Sequence, residues 1–381
     1  MKNPVYFDYA AATPAAKDVI NSIADAMGYF ANPSAQYSSA RKARELLESS
    51  RKDCAKFLQA NSEEIIFTSA ATESNNLAIL GIARSFGEGR VISVASEHSS
   101  VVEPLEHLAE EGFEVINCPL DARGKIDIGK FENLLTKNTI LVSIAYANGE
   151  IGTVQPIGKI GQIIKSYNAQ NGSDIKFHAD ASAAALTLAC DVARLGVDAL
   201  SIGGAKIYGP KGVGLLYLKR GVSIEPLLYG GGQQNSIRPG SESVDLAVGL
   251  ATALKIIVRE RKEDHKKFTV LHRDLVNALD ETGINYIYNG HPQERLYQVV
   301  NIVLPGQNGE DLVAKLDARG FEVSTGAACE ATYEKPSRAL LALGLTEQEA
   351  QSSLRISFGR TTTTQEVNAL AKAIFDIIQP K

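Results

Sequence analysis

One stretch restricts the fold more than any other: Asp198-Ala-Leu-Ser-Ile-Gly-Gly-Ala-Lys-Ile-Tyr-Gly-Pro-Lys-Gly-Val-Gly-Leu-Leu-Tyr-Leu218. Its two apolar runs, 199–202 and 213–218, have the length and branched content of short buried strands. The connection between them is tight and glycine-rich, and it holds Lys206 among residues with almost no side chain. Small neighbours let backbone approach something flat or bulky, while Pro210 stiffens the far side of the turn. A lysine at a strand end without bulky neighbours suits Schiff-base chemistry, because partial desolvation lowers its pKa and frees the amine. A plain hairpin with a solvated turn lysine would read the same way. A phosphate loop is excluded, since Pro210 follows Gly209 where such a loop needs lysine and then serine or threonine.

At 381 residues, 44% hydrophobic and 22% charged, the chain can bury a large core and divides into two lobes. A formal charge of -5 argues against nucleic acid as the principal partner. No apolar run approaches the roughly 18 residues of a membrane span, and no secretion signal is visible after Met1, so a cytoplasmic location is expected. The four cysteines (Cys54, Cys118, Cys190 and Cys329) form no Cys-x-x-Cys pair and the six histidines no i,i+4 pair, which predicts no metal centre.

Taken in order, the segment Tyr6–Pro14 leads the chain in, with Pro14 opening a helix through about Tyr29. Charged and apolar residues alternate at helical spacing over 38–58. A strand over 64–69 runs into Ala70-Ala-Thr-Glu-Ser-Asn-Asn-Leu-Ala78. Backbone N–H groups at that helix start, with Thr72, would bind a phosphate or simply make a capped turn. The strand over 90–96 ends at Glu97-His98, where open α/β sheets place ligands, although a lone histidine also serves as a structural hydrogen bonder. Further strands are expected over 113–120 and 139–147, the second ending in Asn148-Gly-Glu-Ile-Gly.

Another strand, 175–182, carries Asp180 to its end, where a buried carboxylate either needs a cation or donor partner or caps the next helix. A long polar loop fills 229–242. A charged helix over 241–283 bridges to strands near Tyr286 and over 297–304, 321–324 and 353–358, with helices over 310–319, 337–343 and 364–378. Cys329 sits in a loop of small and polar residues that suits a reactive thiol, unlike Cys190 in its apolar run. Arg355 interrupts an otherwise buried strand, where it would bind a carboxylate bidentately or form an ion pair.

A lysine nucleophile, strand-end carboxylate, histidine, phosphate-binding helix start, carboxylate-binding arginine and lone cysteine together suggest pyridoxal phosphate acting on an amino acid. The order and the strings also resemble the cysteine desulfurases, the NifS/IscS-like branch of the fold-type I, class V aminotransferase-like enzymes. The resemblance runs from Tyr6-Phe-Asp-Tyr to Leu354-Arg-Ile-Ser-Phe-Gly-Arg360. It is carried by Thr72-Glu-Ser-Asn-Asn-Leu-Ala, Glu97-His98, Phe177-His-Ala-Asp-Ala, Lys206-Ile-Tyr-Gly-Pro-Lys-Gly and Gly326-Ala-Ala-Cys329.

It implies an α/β fold in two parts. A large domain (13–255) would hold a mostly parallel seven-stranded sheet, and a smaller α+β domain (1–12 and 256–381) would carry Cys329. Lys206 would hold pyridoxal 5'-phosphate, Asp180 its ring nitrogen, and Ala71 and Thr72 its phosphate, with Ser241 reaching in from the other subunit of a homodimer. His98 would stack on the ring and assist proton transfer, Arg355 and Asn148 would bind L-cysteine, and Cys329 would take the sulfur for an acceptor protein. That acceptor would serve iron–sulfur cluster assembly or tRNA thiolation.

The sequence also departs from the family pattern. Gly203 and Ala205 stand where serine and histidine are usual, Ala183 where glutamine is, and Gly149 where a second asparagine is. Tyr37 and Gln234 replace a common histidine and glutamate. Each lost donor is worth roughly 0.5–1.5 kcal/mol, so weaker cofactor retention is expected. Two other readings compete: a homologue that acts mainly as a partner-binding scaffold, and another fold-type I enzyme.

Overall fold

Short runs rich in branched apolar residues pair into one central sheet, and amphipathic segments between them pack as helices. The computed structural model describes residues 4–326 and 336–379. The chain begins with β1 (Val5–Tyr6), α1 (Lys17–Ala26) and α2 (Ser38–Leu58). There follow β2 (Ile65–Thr68), α3 (Ala71–Phe86), β3 (Arg90–Ser93), α4 (Ser99–Glu110), β4 (Glu114–Asn117) and α5 (Ile128–Leu134). Next come β5 (Thr139–Ser143), α6 (Ile157–Asn171), β6 (Lys176–Asp180), α7 (Val192–Leu195), β7 (Ala199–Gly203) and β8 (Gly214–Leu218). The remainder is α8 (Val244–Thr282), β9 (Ile287–Asn289), β10 (Val299–Val303), α9 (Gly309–Asp317) and β11 (Phe321–Glu322). It ends with α10 (Arg338–Ala342), α11 (Glu347–Gln351), β12 (Ser353–Ser357) and α12 (Thr364–Ile378).

The central sheet has seven strands in the order β2-β8-β7-β6-β5-β3-β4. All neighbours are parallel except β8, which runs antiparallel to both β2 and β7. The Lys206 hairpin is therefore the point where the sheet reverses direction, with Gly203 paired to Gly214. β5, β6 and β7 are buried along their whole length or nearly so, as expected of strands covered on both faces. A second sheet, β12-β10-β9, is antiparallel, and β1 joins β11 in a parallel pair.

The 39-residue α8 meets α1 and α2 through its first half, where Lys255 pairs with Asp53 at 2.6 Å. Its second half lies against α12, where Thr364 Oγ1 donates to Asp274.

Two expectations shift in detail. The first helix starts at Lys17 rather than Pro14, because Ala16 is still extended. The strands expected over 90–96 and 139–147 leave the ladder at Ser93 and Ser143. Val94 and Ile144, just beyond, are buried, and the Ile144 N–H still donates to His178 O of β6 at 3.1 Å, so the apolar run outlasts the strand.

Candidate active site

The C-terminal ends of the parallel strands open onto one cavity of about 440 Å³, where a doubly wound sheet places its ligands. Lys206, Asp180, His98, Arg355, Asn148, Ala71 and Thr72 all line it. Ser241 does not; it lines a separate groove with Met27, Phe30 and Pro33. Cys329 lies outside the described residues. Gly326 before its segment and Arg338 after it both line the cavity.

Lys206 ends a single 3₁₀ turn, Gly204–Lys206, at the tip of the β7–β8 hairpin. Three hydrogen bonds to Thr13 hold that turn. Thr13 donates its backbone N–H and its hydroxyl to Ala205 O, at 2.8 and 3.0 Å, and its Oγ1 accepts from the Tyr208 N–H at 2.7 Å. Tyr208 takes a left-handed φ of 58°, an uncommon conformation for a bulky residue. Its hydroxyl accepts from Arg360 N at 2.7 Å, and the Arg360 guanidinium lies 4.5 Å over its ring. The entry segment thus fixes the lysine loop, which its sequence alone does not announce.

Around the amine the wall is bare. A Cβ on Gly149 would lie 3.5 Å from Ala183 Cβ and 3.9 Å from Lys206 Nζ. One on Gly203 would lie 3.1 Å from Ala71 Cβ and 3.3 Å from Ala71 N. Four of the six positions that depart from the pattern the sequence resembles (149, 183, 203 and 205) therefore face this cavity. Gln234 has another task. It is buried, accepts from Phe67 N at 2.8 Å and Arg51 Nη1 at 2.9 Å, and donates to Glu242.

The opposite wall is dense in donors. Asp180 Oδ1 accepts from Ser182 N at 2.8 Å and Oδ2 from Asn75 Nδ2 at 2.8 Å. Burial works to raise this carboxyl, but the hydrogen bonds from Ser182 and Asn75 and the charge of Lys206 outweigh it, so it stays below its ordinary value. Asp180 is therefore a fixed anion facing a cavity that holds a lysine. His98 caps α4, its Nδ1 accepting from Ser100 N at 3.1 Å. Burial, then the charge of Lys206, holds its pKa down to about 4, so the ring is neutral at neutral pH.

α3 opens on the cavity with Ala70 at its N-cap and, among the described residues, no side chain bonded to its first N–H groups. Where α9, α11 and α12 begin, Asn308, Thr346 and Thr363 satisfy such donors. An uncapped 16-residue helix end at a cavity leaves donors and dipole for an anion.

Arg355 pairs with Asp8 through Nη2 at 2.7 Å, while Nε has no hydrogen-bond partner among the described residues. Nε is itself buried, so the ion pair and the carboxylate-binding role are compatible only because Arg355 also lines the cavity. Asn148 spends its amide on the loop itself. Oδ1 accepts from Glu150 N and Ile151 N, at 2.8 and 2.9 Å, and Nδ2 donates to Ser96 O at 2.8 Å.

Sequence reasoning missed Glu97 as a site residue. It is buried at the cavity edge, with Oε1 accepting from Ala145 N at 2.7 Å. Burial pushes its carboxyl up to about 8, against the pull of that hydrogen bond. An acid beside a strand-end histidine was the available signal. The other three cysteines are buried, and burial pushes the Cys54 and Cys190 thiols up to about 12 and the Cys118 thiol to about 11. None of these three is a thiolate at neutral pH.

The arrangement suits a flat ligand with a basic ring nitrogen toward Asp180, a carbonyl toward Lys206 and a phosphate at α3. Residues 5–370 match the family model for class-V aminotransferases. The cysteine desulfurase IscS 1 of Archaeoglobus fulgidus is 38% identical over 377 residues, covering 98% of this chain and 97% of that protein. A solved structure of a NifS-like protein superposes with a TM-score of 0.91 at 32% identity, over 98% of this chain and 99% of that one. A solved structure described as SspA in complex with cysteine gives 0.81 at 34% identity, over 93% and 98% of the two chains.

Proposed function

The chain belongs to the cysteine desulfurases of the class-V aminotransferase family, and from that premise we propose that it converts L-cysteine to L-alanine and hands the sulfur to Cys329 as a persulfide. The observation that carries this reading is the meeting of Lys206, Asp180, His98 and Arg355 in one cavity beneath the uncapped end of α3.

The family depends on pyridoxal phosphate, and the residues present fit it. When bound, the cofactor supplies an electron sink for bonds at the α-carbon of the amino acid. Lys206 would hold it covalently and move protons at Nζ once substrate replaces that bond. Asp180, kept ionised by its donors, would keep the ring nitrogen protonated. The N–H groups of Ala71 and Thr72 and the Thr72 hydroxyl would hold the phosphate. Arg355, where it lines the cavity, would take the substrate carboxylate, with Asn148 shaping the loop beside it. His98 would cover the ring and work as its proton partner.

In net terms, the substrate C–S bond is exchanged for a C–H bond, and the Cys329 thiol becomes a persulfide. Arg338, at the C-terminal flank of the Cys329 segment, bonds Glu103 and Glu106 on α4 at 3.0 and 3.7 Å. This anchors that flank beside α4.

A second copy of the chain would cover the groove that contains Ser241. Phe30 there is 90% exposed and Tyr229, in the adjoining loop, 86%, and a homodimer would bury them and bring Ser241 to the partner's phosphate. The acceptor would belong to iron–sulfur cluster assembly or tRNA thiolation in the cytoplasm. Among the described residues no helix is long and apolar enough to cross a membrane. The boundary we place between large and small domains falls within α8, near residue 255.

Purified protein should be yellow and lose that colour with borohydride, and Lys206→Ala should do neither. Sulfide release from cysteine with a thiol reductant should vanish in Cys329→Ala while the colour persists. A colourless protein that stays inert with added cofactor would leave the scaffold reading instead.

A further inference from the structure

Asn75 and Ser100 have no part in the steps assigned to the site, yet they join the two polar groups that define one wall of the cavity. Asn75 Nδ2 donates to Asp180 Oδ2 at 2.8 Å and to Ser100 Oγ at 2.9 Å. Ser100 Oγ lies 2.8 Å from His98 Nδ1, and the Ser100 backbone N–H points at the same nitrogen from 3.1 Å. Asn75 and Ser100 are buried, as is Asp180.

The hydrogens in this chain can be placed by elimination. A backbone N–H can only donate, so His98 Nδ1 presents a lone pair. An amide flip at Asn75 would set its oxygen against the ionised Asp180, so the nitrogen faces the carboxylate. Both hydrogens of that nitrogen are then spent, one on Asp180 and one on Ser100 Oγ. The Ser100 hydroxyl, already accepting, has its own hydrogen left for Nδ1. Asn75 Oδ1 remains buried with no hydrogen-bond partner among the described residues, the cost of holding the amide this way round.

Building on the desulfurase reading, we propose that Asn75 and Ser100 are positioning residues: the Ser100 backbone N–H holds His98 in the Nε2–H tautomer, and the Asn75 amide and Ser100 hydroxyl tie its ring to Asp180. His98 then meets the substrate as a hydrogen donor, not as a base. Lys206, Asp180 and Arg355 are the charged groups whose fields reach it, and the net effect with burial keeps the ring neutral. A neutral ring makes the tautomer, rather than the charge, the property that matters.

The direct test is nitrogen NMR of the full-length protein with labelled histidine, as purified and at neutral pH. The His98 signals are assigned by their loss in His98→Gln. A proton on Nε2 is expected; one on Nδ1, or an imidazolium, overturns the proposal. Ser100→Ala keeps the backbone N–H and with it the tautomer, but should shift the His98 Nδ1 signal and lower kcat for sulfide release roughly 10- to 100-fold, with KM for cysteine within about twofold. Ser100→Thr, which keeps the hydroxyl, should restore both.

Asn75→Ala should act through the same path, so that the double variant is no slower than Asn75→Ala alone. An unchanged His98 Nδ1 signal and kcat in Ser100→Ala, or additive losses, would make the chain merely structural and defeat the proposal. The tautomer is read without turnover, so inactivity toward cysteine would refute the desulfurase reading and leave this result standing.

Discussion

The two walls of the cavity are built on opposite plans. The Asp180 wall is a continuous run of hydrogen bonds through Ser182, Asn75, Ser100 and His98. The Lys206 wall presents hydrogens and methyl groups from Gly149, Ala183, Gly203 and Ala205. The first wall is rigid in itself, since each member fixes the next. The second owes its shape to backbone clamps at Thr13, Tyr208 and Arg360 that lie behind it. A ligand here is oriented by side chains on one side and by shape on the other. Chemistry should therefore be sensitive to single changes on the polar wall, and affinity should be improvable on the bare one.

The sharpest break would come from Asp180→Ala. It removes the fixed anion and strands two buried donors, so kcat/KM should fall roughly 10²–10³-fold and stability by about 1–3 kcal/mol. Steady-state sulfide release and thermal melts would show both. A fall no larger than that of a bare-wall variant would erase the contrast.

On the bare wall the expected sign reverses. Ala183→Gln and Ala205→His should each tighten pyridoxal phosphate roughly 2- to 10-fold in an absorbance titration, if the new group finds the ligand. Gly203→Ser should gain less, because its Cβ would press on Ala71 at 3.1 Å. Equal gains at all three positions would mean that α3 yields more than its packing suggests.

Glu97 probes the polar wall through pH. Its folded pKa of about 8 stands above the ordinary value of 4.5, so the unfolded chain ionises first as pH rises. The stability tied to its neutral form is fully present below about 4.5 and lost as pH rises through about 8. Glu97→Gln keeps an acceptor for Ala145 N–H and cannot ionise. Its Tm should drop less than that of the parent between pH 5 and pH 9. Parallel curves would mean that Glu97 is charged and partnered.

Gly149→Ala should have the smallest effect. Its backbone is not in the left-handed region, and the added methyl meets only ordinary contacts at 3.5 and 3.9 Å. A gain of about 0.4–1 kcal/mol in a denaturant melt is expected. A loss would show that the lysine wall is tighter than its bare side chains imply.

Much of the frame is legible in the chain itself. Helical spacing gives α2 and α12 to the residue, Ser38–Leu58 and Thr364–Ile378, because charged faces break cleanly against apolar ones. The Lys206 hairpin follows from two apolar runs around a glycine turn. The ends of β3 and β5 do not follow, because Val94 and Ile144 stay buried beyond the last strand residues, Ser93 and Ser143. Periodicity reports burial, and here burial outlasts the ladder. Residues 99–110 and 157–171 gave no sequence expectation of a helix, and the structure makes them α4 and α6.

The site divides along the same line. Sequence alone marked Lys206, Asp180, His98, Arg355 and Thr72, because a charged or polar group among small or apolar neighbours is costly and therefore visible. It did not mark Asn75 or Ser100, which look like ordinary helix residues until α3 and α4 pack together and bring them beside Asp180. Nor did it show that Asp8 would meet Arg355, 347 residues away. Local composition determined which elements form and which residue types are available for chemistry. Which hydrogens point where was decided only when distant segments closed on one another, since a hydrogen bond depends on distance and angle and neither is written along the chain.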